Sequence, residues 1–163
     1  LPILTISVGQ SAPETTLFVM GDGGPEPVAT KDLFAGQKVA VFGLPGAFTP
    51  TCSAKHLPGF IQNADDLAAK GINKIVCVSV NDAFVMGAWA KDQGAGDKVM
   101  VAGDGDAEFA KAAGLELDLN GKGFGLRCQR FSMVVDNGVV ESLNLESDGG
   151  YEVTSAEYML NSL

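Results

Sequence analysis

Apolar and polar positions fall into short blocks whose period changes along the chain. Residues 15–20, from Thr15 to Met20, have the β-branched and aromatic composition of a strand. Residues 21–25 read as a turn, and residues 27–29 as a short return strand with Pro27 at a sheet edge. Residues 38–44 form a continuous apolar run, the pattern of a strand covered on both faces. A Pro/Gly loop follows, then a helix that the pattern carries to about Lys70, where Gly71 stops it. A second buried strand spans 74–80, and Asn81 and Asp82 are cap residues for a helix over 83–90. Residues 98–102 give a third strand, and 106–113 a short helix closed by Gly114. Asp136-Asn137-Gly138 between apolar runs at 131–135 and 139–143 is the strongest short-range hairpin signal in the chain. Thr154 and Glu157, spaced as a capping box, open a terminal helix.

Parallel strands linked by crossover helices, then an antiparallel hairpin and a last helix, predict an α/β fold. The order fits a thioredoxin-like layout, with a mixed central sheet flanked by helices and an N-terminal β-hairpin extension. Its 163 residues make one domain, 1–163, large enough to bury a core, and 46% hydrophobic content does not belong to a disordered chain. Eleven Lys plus Arg against 20 Asp plus Glu leave a net charge of −9. With no basic block to release counterions, neither nucleic acid nor an anionic membrane surface is an expected partner. No apolar run approaches the ~18–20 residues of a spanning helix.

Three cysteines, Cys52, Cys77 and Cys128, cannot all pair within one chain, and their spacing matches no compact disulfide framework. They read as thiols in a reducing, intracellular compartment, cytoplasmic or organellar. The chemistry gathers at residues 44–52. Thr49 before Pro50 has the form of an N-cap with proline at the first helical position, which sets Cys52 three residues after the cap. Partial positive charge and unpaired N–H groups at such a helix start favour a thiolate, and can lower a cysteine pKa from about 8.5 to roughly 3.5–7.5.

Other chemistries fit less well. His56, the only histidine, lies four residues after Cys52 and suggests a Cys–His hydrolase pair. A base on the adjacent turn of the same helix has little freedom to align, so a partly exposed ring packing at the helix start is the expectation. A Cys₃His zinc site of Cys52, Cys77, Cys128 and His56 lacks any short Cys-x₂₋₄-Cys ligand pair, and neither metal nor cofactor is expected. The missing Cys-x-x-Cys argues against a dithiol isomerase. Gly121-Lys122-Gly123-Phe124-Gly125 is expected to be a mobile loop rather than a phosphate cradle, since no Lys-Ser/Thr or helix cap follows it.

The segment from Pro45 to Ser53 contains Pro-x-x-x-Thr-x-x-Cys, and here the chain resembles the peroxiredoxins. Continuation through His56-Leu57-Pro58-Gly59-Phe60 resembles the type II, or atypical two-Cys, subgroup of this thioredoxin-like superfamily. Val78 to Phe84 with Trp89, and Arg130 to Val135, match further, so the resemblance runs from Val8-Gly9 to Glu146. It implies a thiol peroxidase acting on hydrogen peroxide and alkyl hydroperoxides. Cys52 would be the peroxidatic thiolate, Thr49 the hydroxyl contacting thiolate and peroxide, Pro45 the shield of the pocket and Arg130 the arginine. Arg127 is a second candidate, read as a solvated loop charge, and Cys128 as an exposed loop thiol. The sulfenic acid formed on Cys52 must then meet a thiol. Tyr151 to Ser155 lacks the resolving cysteine of one branch of the family, while Cys77 matches the second cysteine of the plant-like members. Cys77 falls in an apolar strand where a buried structural thiol is the default, so direct attack by glutathione, glutaredoxin or thioredoxin stands beside it. The resemblance also implies a homodimer. A non-enzymatic redox sensor or disulfide relay on the same fold is the competing reading.

Overall fold

Strand β3 (Lys38–Gly43) is apolar on every residue from Val39 to Phe42, and it runs inside a seven-stranded sheet with a neighbour on each side. The computed structural model describes residues 5–147 and 149–163. A hairpin of β1 (Thr16–Gly21) and β2 (Gly24–Ala29) opens the fold and is followed by helix α1 (Thr30–Phe34). After β3 come a helical segment holding a π turn (Cys52–His56), α2 (Leu57–Gln62) and α3 (Ala64–Ala69). Then follow β4 (Lys74–Ser79), α4 (Ala83–Gln93), β5 (Met100–Gly103) and α5 (Glu108–Ala113). A small hairpin, β6 (Glu116–Leu119) with β7 (Gly125–Cys128), precedes β8 (Phe131–Asp136), β9 (Val139–Leu145) and α6 (Ala156–Ser162). The sheet order is β2-β1-β5-β4-β3-β8-β9, with β3, β4 and β5 parallel and β8 antiparallel to β3.

Because successive strand residues face opposite sides, the sheet divides two cores. Val39, Val41, Val76, Val78, Met133 and Val135 point to the side covered by α1 and α5. Ala40, Phe42, Ile75, Cys77 and Val134 point to the side where Leu57, Phe60, Leu67, Met86, Trp89 and Met159 arrive from α2, α3, α4 and α6. Each fully buried Leu, Met or Phe contributes roughly 1.5–3 kcal/mol of transfer free energy.

The thioredoxin-like layout and N-terminal hairpin expected from the sequence are present. Asn137 and Gly138 both adopt positive φ, 48° and 84°, as a two-residue hairpin turn requires. Asp82 caps α4 by accepting the Val85 N–H at 2.9 Å. Four expectations are corrected. The helix predicted to run to Lys70 is interrupted at Asn63, where α2 gives way to α3. The last helix is capped by Ser155, whose Oγ accepts the Tyr158 N–H, while the Thr154 hydroxyl donates to Glu146 instead. Strand β2 starts three residues earlier than predicted and carries Pro25 and Pro27, which an edge strand tolerates because one row of its N–H groups has no partner strand. Helix α5 begins at Glu108 rather than 106, because the buried Asp104 carboxylate accepts the N–H groups of Phe109 and Ala110. The Gly-rich segment 121–125 is the tip of the β6–β7 hairpin, whose strands the apolar pattern had not separated from loop.

Candidate active site

The loop from the end of β3 to the first helical turn is fixed from two sides. Asn81, past the end of β4, accepts the Ala47 N–H at 3.0 Å and the Ser79 hydroxyl at 2.7 Å. From β7, Arg127 donates Nη1–H to the Pro45 carbonyl at 3.2 Å and Nε–H to Phe124 O at 2.9 Å. It is thus a strut of this loop rather than a free surface charge. Its guanidinium lies 2.7 Å from where a Cβ on Gly46 would stand, so a side chain at 46 would push Arg127 from its present position. Phe48 sits at φ 64°, a strained conformation for a bulky residue that persists only where the surroundings impose it.

The chain becomes helical at Pro50, directly after Thr49, so Cys52 is the third helical residue, as the motif predicts. The Thr49 hydroxyl does not cap the helix, however. It donates to Gly46 O at 2.7 Å and so closes the loop, while its backbone carbonyl accepts the Ser53 N–H. Cys52 opens a π turn closed by the Leu57 N–H on the Cys52 carbonyl. The wide turn has a reason in the sequence: Pro58 cannot donate a hydrogen bond, and in a regular α-helix its ring would press on the Ala54 carbonyl. Trp89 supports the turn from below, donating Nε1–H to Ser53 Oγ at 3.0 Å.

Arg130, immediately before β8, reaches Cys52 with Nη2 at 3.1 Å from Sγ. Its Nη1 donates to Nδ1 of His56 at 2.8 Å. The other ring nitrogen of His56, Nε2, lies 2.9 Å from the Thr154 carbonyl. Because a carbonyl only accepts and a guanidinium only donates, these two bonds define one neutral tautomer, protonated at Nε2. His56 is fully buried, against Phe42, Phe60 and Tyr151, not partly exposed as expected. Both its nitrogens are engaged away from Cys52, which leaves no base for a hydrolase pair. A neutral imidazole fixes Arg130 without cancelling its charge. Among the described residues Arg130 forms no ion pair, so its positive charge faces the sulfur.

Burial, reinforced by the Arg130 charge, pushes His56 down to about 3 from the ordinary 6.5, against the opposing effect of the Thr154 bond. The unfolded chain therefore takes up this proton first as pH falls. His56 contributes stability that is full above pH 6.5 and is lost as pH drops toward about 3. As the only histidine, it alone brings an ordinary imidazole pKa to the stretch from 6.5 down to about 5. We expect unfolding free energy, measured by urea denaturation, to fall there with a slope approaching 1.4 kcal/mol per pH unit, about one proton's worth. The same slope should be absent in His56→Phe, and equal slopes in both proteins would refute the assignment. Asp104, which burial pushes up, is common to both proteins and cancels in the comparison.

All three cysteines are free thiols. Cys77 lies in the centre of the sheet, opposite Phe42, and burial, with Cys52 nearby, pushes its thiol well up. Cys128 is corrected from an exposed loop thiol to a fully buried one at the end of β7, also pushed up by burial, with its S–H directed to Gln129 O at 3.3 Å. Among the described residues no three His, Cys, Asp or Glu side chains are placed to hold a metal ion, and no helix is long and apolar enough to cross a membrane. Sequence reasoning missed Thr154 and Glu146, and undervalued His56. The His56 spacing from Cys52 was visible, whereas its partners lie 74 and 98 residues away.

The Redoxin family matches residues 7–160. The chain is 49% identical over 166 residues to Peroxiredoxin-2E-2, chloroplastic, of Oryza sativa subsp. japonica, covering 99% of this chain and 74% of that one. It is 45% identical over 159 residues to Peroxiredoxin-2C of Arabidopsis thaliana, covering 97% and 98%. The chain belongs to the type II peroxiredoxins. Its fold superposes on the crystal structure of reduced Prx3 from Vibrio vulnificus in complex with hydrogen peroxide, with a TM-score of 0.93, 49% identity, and coverage of 97% of this chain and 99% of that one. Peroxiredoxins are thiol peroxidases, so this protein is an oxidoreductase that acts on peroxides at the expense of a thiol.

Proposed function

We propose that this peroxiredoxin reduces hydrogen peroxide and alkyl hydroperoxides at Cys52 and is returned to its starting state by an external thiol. The 3.1 Å contact between the Arg130 guanidinium and Cys52 Sγ carries the reading, because it sets an uncompensated positive charge beside the nucleophile. The Cys52 thiolate attacks one peroxide oxygen, an S–O bond forms as the O–O bond breaks, and the other oxygen leaves with the electron pair as hydroxide or alkoxide. Sulfur is oxidised to the sulfenic acid and the leaving oxygen takes a proton to become water or alcohol. Arg130 and the N–H groups of the first helical turn stabilise the developing charge without having to move, and the Thr49 hydroxyl joins them by turning its proton from the Gly46 carbonyl toward the peroxide. Pro45, held through its carbonyl by Arg127, shields the thiolate from bulk water.

A donor thiol then displaces water from the sulfenic sulfur to give a mixed disulfide. A second thiol releases Cys52 and leaves the donor oxidised. We assign this donor to glutathione with glutaredoxin, or thioredoxin, rather than to Cys77. A thiol at the centre of a sheet, fully buried and pushed up by that burial, is a poor nucleophile. Cys77→Ser should therefore sustain donor-dependent turnover at close to the native rate under saturating glutathione and glutaredoxin. A quantitative Cys52–Cys77 bridge in the peroxide-treated protein, together with loss of turnover in Cys77→Ser, would overturn this assignment. Steady turnover also separates the enzyme from a sensor or relay, which would consume a single equivalent of peroxide.

The assembly we infer is a homodimer. Phe48, Phe84 and Phe124 are 55%, 60% and 47% exposed, a density of apolar rings near the loop at 45–49 that suits a protein partner. The thiol chemistry calls for a reducing compartment, cytoplasmic or organellar.

A further inference from the structure

We propose that Glu146 is a positioning residue for the peroxidatic centre, acting on Arg130 from both its backbone and, through Thr154 and His56, its side chain. Glu146 follows the last residue of β9 and touches neither Cys52 nor the guanidinium. Its backbone N–H donates to the Arg130 carbonyl at 3.1 Å, extending the β8–β9 ladder to the residue that carries the active-site charge. Its carboxylate oxygen Oε2 accepts four hydrogen bonds, from the N–H groups of Glu152, Val153 and Thr154 at 2.8, 2.8 and 3.0 Å and from the Thr154 hydroxyl at 2.7 Å. A single oxygen thereby gathers three consecutive backbone amides just before α6.

The consequence lies on the other side of the same segment. Thr154, fully buried, turns its carbonyl to Nε2 of His56, and that bond selects the tautomer whose Nδ1 lone pair receives Arg130 Nη1. Residues 152–154 lie in no regular secondary structure, so no helix or strand ladder fixes the position of this carbonyl. The Glu146 carboxylate takes that role. Burial acts to raise its pKa, and the bonds from the Thr154 hydroxyl and the amides outweigh it, holding the carboxyl below its ordinary value and therefore ionised at neutral pH. An anion at this point anchors the segment more firmly than a neutral acceptor, since hydrogen bonds to a charged oxygen are about twice as strong.

The inference rests on Cys52 as the reacting thiol, and Cys52→Ser tests that reading separately. Three readouts distinguish positioning from simple support of the fold: kcat/KM for hydrogen peroxide, the ultraviolet thiolate absorbance of Cys52 at neutral pH, and thermal stability. Glu146→Leu should lower kcat/KM about tenfold and reduce the thiolate signal, the scale expected when a catalytic group is displaced by a fraction of an ångström. Glu146→Gln keeps one acceptor oxygen and should restore most of both. Thr154→Val removes one donor to the carboxylate and should give a smaller loss in the same direction. In a His56→Phe background, Glu146→Leu should lose most of its effect on kcat/KM, because the path from Thr154 to Arg130 is already broken. The proposal fails if Glu146→Leu lowers thermal stability alone, or if its effect adds in full to that of His56→Phe. Should Glu146→Leu not fold, unchanged kcat/KM and thiolate signal in both Glu146→Gln and Thr154→Val would overturn it equally. An active Cys52→Ser would instead refute the reading beneath it.

Discussion

Cys52→Ser is expected to reduce peroxide consumption to the uncatalysed background, while Cys128→Ser keeps a rate near that of the native chain. The contrast follows from where the two sulfurs lie. Cys52 sits at the third helical residue with the Arg130 guanidinium 3.1 Å away, on the side of the sheet covered by α2, α3, α4 and α6. Cys128 packs in the core on the opposite side, its S–H bound to Gln129 O and its ionisation suppressed by burial. A serine hydroxyl in place of Cys52 keeps the contact with Arg130 but ionises far too weakly to attack an O–O bond near neutral pH. The buried hydroxyl in Cys128→Ser costs on the order of 1–3 kcal/mol of stability if left without a partner, so initial rates should be taken well below the unfolding transition. Initial-rate peroxide consumption with a thiol donor decides the matter. Substantial turnover by Cys52→Ser, or loss of turnover in folded Cys128→Ser, would overturn the assignment.

How much of this site was legible in the sequence depends on whether local spacing or distant packing sets each feature. Thr49-Pro50 followed by Cys52 fixes the helix start because a proline fits only its first turn, and Asn137-Gly138 fixes a hairpin because both residues accept positive φ. The buried strands at 38–43 and 74–79 were equally plain, since an unbroken apolar run is what a doubly covered strand needs. Orientation of polar side chains was not legible. Thr49 has the identity of a cap, yet its hydroxyl closes the loop onto Gly46, and Thr154 has the spacing of a capping box, yet its hydroxyl serves Glu146. For Thr49 the preferred acceptor is a carbonyl of its own loop, three residues back, and for Thr154 it is a carboxylate at the end of β9; the identity and spacing of a cap residue specify neither. His56 shows the same limit from the other side. A lone histidine four residues after a cysteine has no assigned role until Arg130 and the Thr154 carbonyl are brought to its two nitrogens.

Loss of the Arg130 guanidinium is expected to lower kcat/KM for hydrogen peroxide by about 10²-fold or more, the scale of a preorganised oxyanion donor worth several kcal/mol. Arg130→Met keeps the length of the side chain while removing both the charge at Cys52 Sγ and the bond to His56 Nδ1. Arg130→Lys should fall between Arg130→Met and the native chain. One ammonium retains the charge, but it lacks the planar fork with which Arg130 meets sulfur and imidazole together. Arg127→Met is the control, because that guanidinium is spent on the carbonyls of Pro45 and Phe124 and reaches the chemistry only through the loop. Its loss should be the smaller of the two. Stopped-flow oxidation of Cys52 under limiting peroxide reads the step directly, free of the later thiol exchange. If Arg127→Met slows that step more than Arg130→Met, the charge that drives peroxide cleavage has been assigned to the wrong arginine. Nearly equal rates for native and Arg130→Met proteins would show that the N–H groups of the first helical turn suffice without it.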